Sequence, residues 1–187
     1  MDKTFTIFAK GRLTLEQCNI ADKTIKSGMI ESAYDDVISF HDLKASDIVP
    51  ARELMKKFGF EVDPEIYEEH YEGSYCELVE ASEMVVEANA MYTGGNIWVF
   101  YGKLLDGNYF ITDDNGWTQV LNANPDEDLD EAFFYEWQQE HLVRELEGEK
   151  RTEFLSQMLD WLLENPDYRG GMSEAEVEAY RQYFRIF

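Results

Sequence analysis

The chain has 187 residues, 44% apolar and 14% aromatic, with 39 acidic against 16 basic side chains and a formal net charge of −23. Its aromatic content excludes a disordered acidic tail, and no window approaches the roughly eighteen apolar residues of a membrane-spanning helix. Two cysteines (Cys18 and Cys76) and an N-terminus without a long apolar run argue against a disulfide scaffold and a secretory leader, so a soluble cytoplasmic protein is expected.

In chain order, Thr4–Ala9 alternates polar and apolar residues and reads as a strand. Thr14 with Gln17 has the form of a capping box, opening a helix that carries Leu15, Cys18 and Ile25 and stops at Gly28. A second helical stretch is expected over Glu31–Leu43. A third runs from Ser46 to just before Gly59, with Pro50 in its first turn. Asp63-Pro64 opens a short acidic helix ending near Gly73, and a longer one follows from Ser74 to about Met91. Val79, Val85, Val86, Ala88 and Met91 would form the buried side of that longer helix.

Gly94-Gly95 closes this helical part. Asn96–Leu104, Asn108–Thr112 and Trp117–Leu121 are rich in aromatic and β-branched residues, with Asp106-Gly107 and Asn115-Gly116 between them as two-residue turns. They predict a three-stranded antiparallel meander, with Thr4–Ala9 a candidate fourth strand. Beyond Pro125 helix returns. Asp126–Glu131 sits at a helix N-terminus, where the macrodipole favours acids. Phe133, Phe134, Trp137, Leu142 and Leu146 would form its apolar face. Residues 149–164 form an amphipathic helix through Phe154, Leu155, Met158, Leu159 and Leu162, and Ser173 with Glu176 caps a last helix running toward Phe187. For Tyr180, Tyr183, Phe184 and Phe187 on that helix, burial is the default reading and a homodimer seam the alternative. The expected architecture is α+β in one domain, a three- or four-stranded antiparallel meander with helices packed on one face.

Residues 1–60 hold nine basic and nine acidic side chains, so residues 61–187 carry the whole −23. Residues 58–143 hold twenty carboxylates and a single Lys or Arg, Lys103. No phosphate-cradling glycine loop, nucleophile elbow or paired-histidine metal motif is present. His70, in Glu68-Glu69-His70-Tyr71-Glu72, lacks the i, i+4 partner a helical metal site needs, and His141, four residues after Trp137, reads as a structural histidine. Asp113–Gly116 and Asn124–Asp130 resemble fragments of calcium loops without the full ligand pattern. Hairpin turn and helix N-terminus explain them better. No catalytic residue, metal or cofactor is expected.

The acidic surface is the candidate site. On the expected helix Glu77, Glu80, Glu83 and Glu87 form one stripe, about 15 Å long at 1.5 Å per residue. That is one charge per roughly 5 Å, against roughly 3.4 Å per phosphate of a DNA strand. Glu68, Glu69, Glu72, Glu77, Glu80, Glu83 and Glu87 form the first candidate partner-binding patch. Asp126, Glu127, Asp128, Asp130 and Glu131 form the second. Lys3, Lys10, Arg12, Lys23 and Lys26 make a mildly positive N-terminal end suited to a weak nucleic-acid contact.

With its length and acidity, the segments Phe5–Thr14 (FTIFAKGRLT) and Gly107–Trp117 (GNYFITDDNGW) give the chain a resemblance to the type II-A anti-CRISPR proteins of Firmicutes phages and mobile elements, which inhibit Cas9. The resemblance implies a non-enzymatic inhibitor that binds Cas9 with its guide RNA and blocks DNA binding or cleavage, since that effector holds its heteroduplex in a positively charged channel. An antirestriction DNA mimic or a nuclease immunity protein fits the same charge logic. A carboxylate and histidine metal-dependent hydrolase is the alternative from another class.

Overall fold

The computed structural model describes residues 3–32, 36–70, 75–129 and 132–186. The protein is α+β, with five α-helices and two five-stranded antiparallel sheets among the described residues. The expectation of one domain meets a chain that divides into two compact units, Met1–Ala81 and Ser82–Phe187. The division does not follow the charge step at residue 60. The first unit has nine basic and seventeen acidic side chains (−8), and the second has seven and twenty-two (−15). No described helix is long and apolar enough to cross a membrane.

In the first unit the elements are β1 (Phe5–Lys10), α1 (Leu15–Thr24), β2 (Met29–Ser32), β3 (Val37–Leu43), α2 (Ala45–Lys57), β4 (Glu61–His70) and β5 (Tyr75–Val79). The sheet order is β2-β3-β1-β4-β5, so β1 lies at its centre. Phe5, Ile7 and Ala9 of β1, Ile38 and Phe40 of β3 and Ile66 of β4 are buried together with Ile48, Ala51, Leu54 and Met55 of α2. The Thr14–Gln17 capping box is present at the start of α1.

Three expectations are corrected here. The described residues of Glu31–Leu43 form no helix but the end of β2 and all of β3. Ile38 and Phe40 alternate with Ser39 and His41, and the β-branched pair Val37-Ile38 favours the pleated backbone. The acidic helix expected after Asp63-Pro64 is β4. Between the pairs Ile7↔Ile66 and Ala9↔Val62 the strand carries a bulge, and Pro64 stands inside it, where no ladder N–H is required. Pro50 lies one turn deeper in its helix than expected, since α2 begins at Ala45.

The second unit has β6 (Val85–Gly94), β7 (Ile97–Leu104), β8 (Tyr109–Asp113), β9 (Thr118–Leu121), α3 (Phe134–Glu140), β10 (Leu142–Leu146), α4 (Gly148–Glu164) and α5 (Glu174–Tyr183). Short 3-10 turns occupy Ala81–Glu83, Pro125–Glu127 and Pro166–Tyr168. The expected meander is β7-β8-β9, and it grows by one strand at each edge into the order β10-β9-β8-β7-β6. Thr4–Ala9 does not join it, because β1 belongs to the first sheet. The helix expected over Ser74–Met91 is β5, a 3-10 turn and β6. Ala88 and Ala90 of β6 face the core opposite Gly102 and Phe100, and this pairing overrides the helix propensity of Glu-Ala-Asn-Ala-Met. Gly94-Gly95 is then not a helix stop. Gly95 and Asn96, both at positive φ, make the two-residue turn joining β6 to β7.

The other two hairpins close differently from the two-residue turns expected. Leu104 bonds Asn108 and Asp113 bonds Trp117, leaving three-residue loops that end in Gly107 (φ +95°) and Gly116 (φ +80°). Leu142 and Leu146 belong to β10 rather than to a helical face, and Phe133 is 72% exposed. The core forms where α4 supplies Phe154, Leu155, Met158, Leu159 and Leu162, all expected, against Phe100, Phe110 and Val120 of the sheet. Each such side chain contributes about 1.5–3 kcal/mol by burial. Tyr180 and Phe184 sit edge-on to Phe100 at 5.0 and 6.1 Å, Tyr183 stays 60% exposed, and Phe187 lies outside the described residues.

Candidate functional site

The four glutamates expected on one helical stripe fall on three different elements and the link between two of them. Glu77 is on β5, Glu80 follows it, Glu83 ends the 3-10 turn and Glu87 is on β6. The first two belong to one unit and the last two to the other, so the spacing that resembled a phosphate backbone does not exist. Glu72, Asp130 and Glu131 lie outside the described residues.

Glu68 and Glu69 are neighbours on β4 and therefore point to opposite faces of the sheet. Glu68 stands directly across from Glu77 of β5. Two like charges in that register repel. Lys3, with its Nζ 3.0 Å from Glu68, offsets the repulsion, and Nε2 of His70 lies 3.4 Å from Glu77 and 3.8 Å from Glu68. The His70 ring stacks on Tyr75 at 4.8 Å. This cluster is the nearest the described residues come to the ligand-rich reading of His70, and no group of three or more His, Cys, Asp or Glu among them is placed to hold a metal ion.

Glu69 turns the other way and is engaged by its own unit. Opposite Thr6, strand β3 inserts an extra residue, with Asp42 at φ +57°, and this bulge aims His41 at Thr6. The Thr6 hydroxyl donates to Glu69 and lies 3.0 Å from Nδ1 of His41; the Asp42 N–H and the Thr4 hydroxyl also donate to the carboxylate, at 3.0 and 3.3 Å. Nε2 of His41 lies 3.0 Å from Oγ of Ser39. Burial pushes the Glu69 carboxyl up, but the hydrogen bonds from Thr6 and Asp42 and the nearby His41 outweigh it, and the group sits below the usual carboxylate range. Burial, then Glu69, pushes the Asp42 carboxyl up.

This chain of serine, imidazole, threonine and carboxylate was not legible beforehand, because its members come from three separate strands. The signal available was the polar phase of β1 and β3, where Thr6, Ser39 and His41 alternate with core residues. Thr6 is 1% and Ser39 6% exposed. Hydroxyls so enclosed fix strand register rather than meet a substrate.

The second patch is partly assembled. Asp126 and Glu127 lie in the 3-10 turn Pro125–Glu127, opened by Asn124, whose Oδ1 accepts from the Asp126 N–H at 3.1 Å; Asp128 closes it. Both patches contribute to one place that neither predicts. Burial, then a hydrogen bond to Asp126 and the charges of Asp126 and Glu87, pushes the Tyr101 hydroxyl well above the usual phenol range. Tyr101 thus feels both carboxylates, and Lys103 lies directly across the ladder from Glu87.

The N-terminal cations do not gather into a patch. Lys3 lies before β1 and Lys10 and Arg12 at and beyond its other end, Lys3 pairs with Glu68 and Arg12 with Asp36, and Lys23 sits in the last turn of α1. His141 is held by Asn122 at 2.8 Å and tilted against Trp137 at 4.7 Å, a structural role. Cys18 and Cys76 are free.

In the second unit two arginines serve the main chain, while Lys103, Lys150 and Arg185 stay exposed. Arg169 is buried and donates to the carbonyls of Leu162 and Leu163, and Arg144 donates to the carbonyl of Ser82. Arg181 pairs with Asp160 and Glu178, and Lys150 with Glu83. A cleft of about 170 Å³ lies between β10 and the start of α4, lined by Glu83, Glu145, Glu147 and Glu153 with Arg144 and Lys150. In comparisons with known proteins, no family model, curated protein or solved structure matched the chain.

Proposed function

We propose that the protein is a non-enzymatic acidic inhibitor that binds a basic nucleic-acid-handling effector, Cas9 with its guide RNA being the effector its resemblance names, and blocks DNA binding or cleavage. The observation that carries this reading is the second unit's formal charge of −15, in which Arg144 and Arg169 serve main-chain carbonyls rather than carboxylates. The surface left to solvent is correspondingly acidic, and such a field steers a cationic partner. The Glu87–Tyr101–Asp126 cluster with neighbouring Glu127 replaces the helical stripe as the place where the two expected patches converge. Competition with nucleic acid then rests on charge, not on an imitation of phosphate spacing.

The test is retention of Cas9–guide complex on the immobilised protein at low and at high salt. Binding should fall steeply as salt rises, with a log–log slope set by the ions displaced. Reversal of exposed acids (Glu87→Lys with Glu127→Lys) should reduce it by about tenfold or more in a protein with unchanged circular dichroism. A related basic target retained in place of Cas9, such as a restriction enzyme or a toxin nuclease, would reassign the effector within the class. Retention of no basic protein at low salt overturns the reading.

A further inference from the structure

Two five-stranded sheets present four end strands, and three of them carry features that discourage pairing with another chain. Strand β2 has only four residues. Strand β6 has register breaks near both ends, and β10 has one and carries Arg144. Short length, bulges and basic residues are the usual defences of a sheet edge. Strand β5, five residues long, has neither a bulge nor a basic residue. It pairs with β4 without interruption from Ile66↔Val79 to His70↔Tyr75, and it contains no Lys, Arg or Pro. Its side chains are open to solvent on both faces, with Tyr75 56% and Leu78 53% exposed and the Glu77 side chain 68% exposed.

What distinguishes β5 is its charge. Glu77 lies on it with its side chain exposed and Glu80 follows, while Glu68, directly across the ladder, is paired with Lys3. A second copy of this chain adding there would bring carboxylate against carboxylate, the unfavourable cross-strand pair. A segment rich in Lys or Arg meets the opposite situation. We propose that β5 is an attachment edge for an extended basic segment of the partner. That segment adds as a sixth strand through main-chain hydrogen bonds, sets Lys or Arg beside Glu77 and lays an apolar side chain against Leu78. The inference rests on the reading of the protein as a binder of basic effectors, and it names the kind of segment recognised.

The experiment titrates the full chain with two peptides of equal length and charge, one alternating Lys and Val, the other Lys and Pro, and follows amide hydrogen exchange. The Lys-Val peptide should bind about tenfold or more tightly than Lys-Pro, which cannot form a ladder. It should also slow exchange along Tyr75–Val79. Glu77→Lys should weaken it by about tenfold, with exchange in β1 and β4 unchanged as the control for folding. Equal binding of the two peptides, or protection elsewhere than β5, overturns the edge. So does a dimer of the chain that β5 protection tracks. If Lys-Val binds at β5 while no basic effector is retained, the functional reading fails and the edge stands. If an effector is retained with the expected salt dependence and Glu77→Lys leaves it untouched, the edge alone fails.

Discussion

The two units solve the same problem, a five-stranded antiparallel sheet, by opposite routes. In Ser82–Phe187 the strand order from β6 to β10 follows the chain, so each neighbour but the last is reached through a tight turn. In Met1–Ala81 the first strand is the middle of the sheet, and β1 finds both β3 and β4 only after a helix has intervened. Tight turns make three of the second sheet's four pairings, whereas in the first sheet the two pairings of the central strand β1 are distant, beside the chain-adjacent pairs β2-β3 and β4-β5. The predictions below probe that contrast, from the greatest expected loss to the smallest.

The second sheet depends on close backbone approach where β6 meets β7. A Cβ at Gly102 would stand 1.9 Å from the carbonyl oxygen of Glu87 and 2.8 Å from its carbonyl carbon. Those atoms belong to the paired strand and cannot yield without breaking the ladder. Gly102→Ala should therefore lower stability by about 3 kcal/mol or more, read as a fall in the denaturant midpoint. Hydrogen exchange should quicken in β6, β7 and β8 before it does in β1 or β4. Equal acceleration in both sheets would remove the contrast drawn above.

The first sheet is held at its centre by the polar chain on Thr6, His41 and Glu69. Glu69→Gln keeps the shape but removes the charge that accepts from Thr6 and the Asp42 N–H, with an expected loss of about 1–3 kcal/mol at neutral pH. The sign of the pH effect follows from the direction of the shift. Glu69's carboxyl lies below its ordinary range in the folded chain. Its contribution is thus complete above the ordinary carboxylate pKa and is lost as pH falls through the folded value. Asp42, whose carboxyl is raised, acts with the opposite sign. The measurement is cleanest in an Asp42→Asn background, since Asn tolerates the positive φ at that position. There the stability gap between the Glu69→Gln variant and its parent should close on acidification. A gap independent of pH would show that Glu69 acts by packing alone.

The same contrast explains what could be read from the residues. The meander 96–121 was legible because Asp106-Gly107, Asn115-Gly116 and the aromatic runs between them are local signals. The helix 149–164 was legible from its apolar spacing. Strands β3 and β4 were read as helix because a partner of each, β1, lies in another part of the chain, whereas β5 and β6, which pair with their neighbours in the chain, were read as helix from the spacing of their glutamates. Pro64 hid in a bulge that exists only opposite β1. Glutamates three and four apart imitate a helical face whether or not a helix is there. The candidate site inherited that error: Glu77, Glu80, Glu83 and Glu87 were right as charges and wrong as a stripe. The effect of Asp126 on Tyr101 depends on the Pro125–Glu127 turn folding back beside β7 and β8, a non-local event.

The smallest expected effects test whether local signals weigh the same in both units. Each contains a complete capping box, Thr14 with Gln17 at α1 and Ser173 with Glu176 at α5, in which the hydroxyl accepts from the third residue's N–H and that residue's side chain answers the cap's own N–H. Thr14→Ala and Ser173→Ala should each lower stability by about 1 kcal/mol. Ser173 has one further tie, since its hydroxyl also contacts the Glu176 carboxylate at 2.6 Å, and that carboxyl sits below its usual range, chiefly through this hydrogen bond. The Ser173→Ala loss should therefore shrink at acid pH, while the Thr14→Ala loss, with a neutral Gln17 as the answering residue, should not change. Denaturant midpoints of the two variants at neutral and acid pH separate these outcomes. A Thr14→Ala loss that shrank equally would place the pH dependence in helix electrostatics at large rather than in the capping carboxylate.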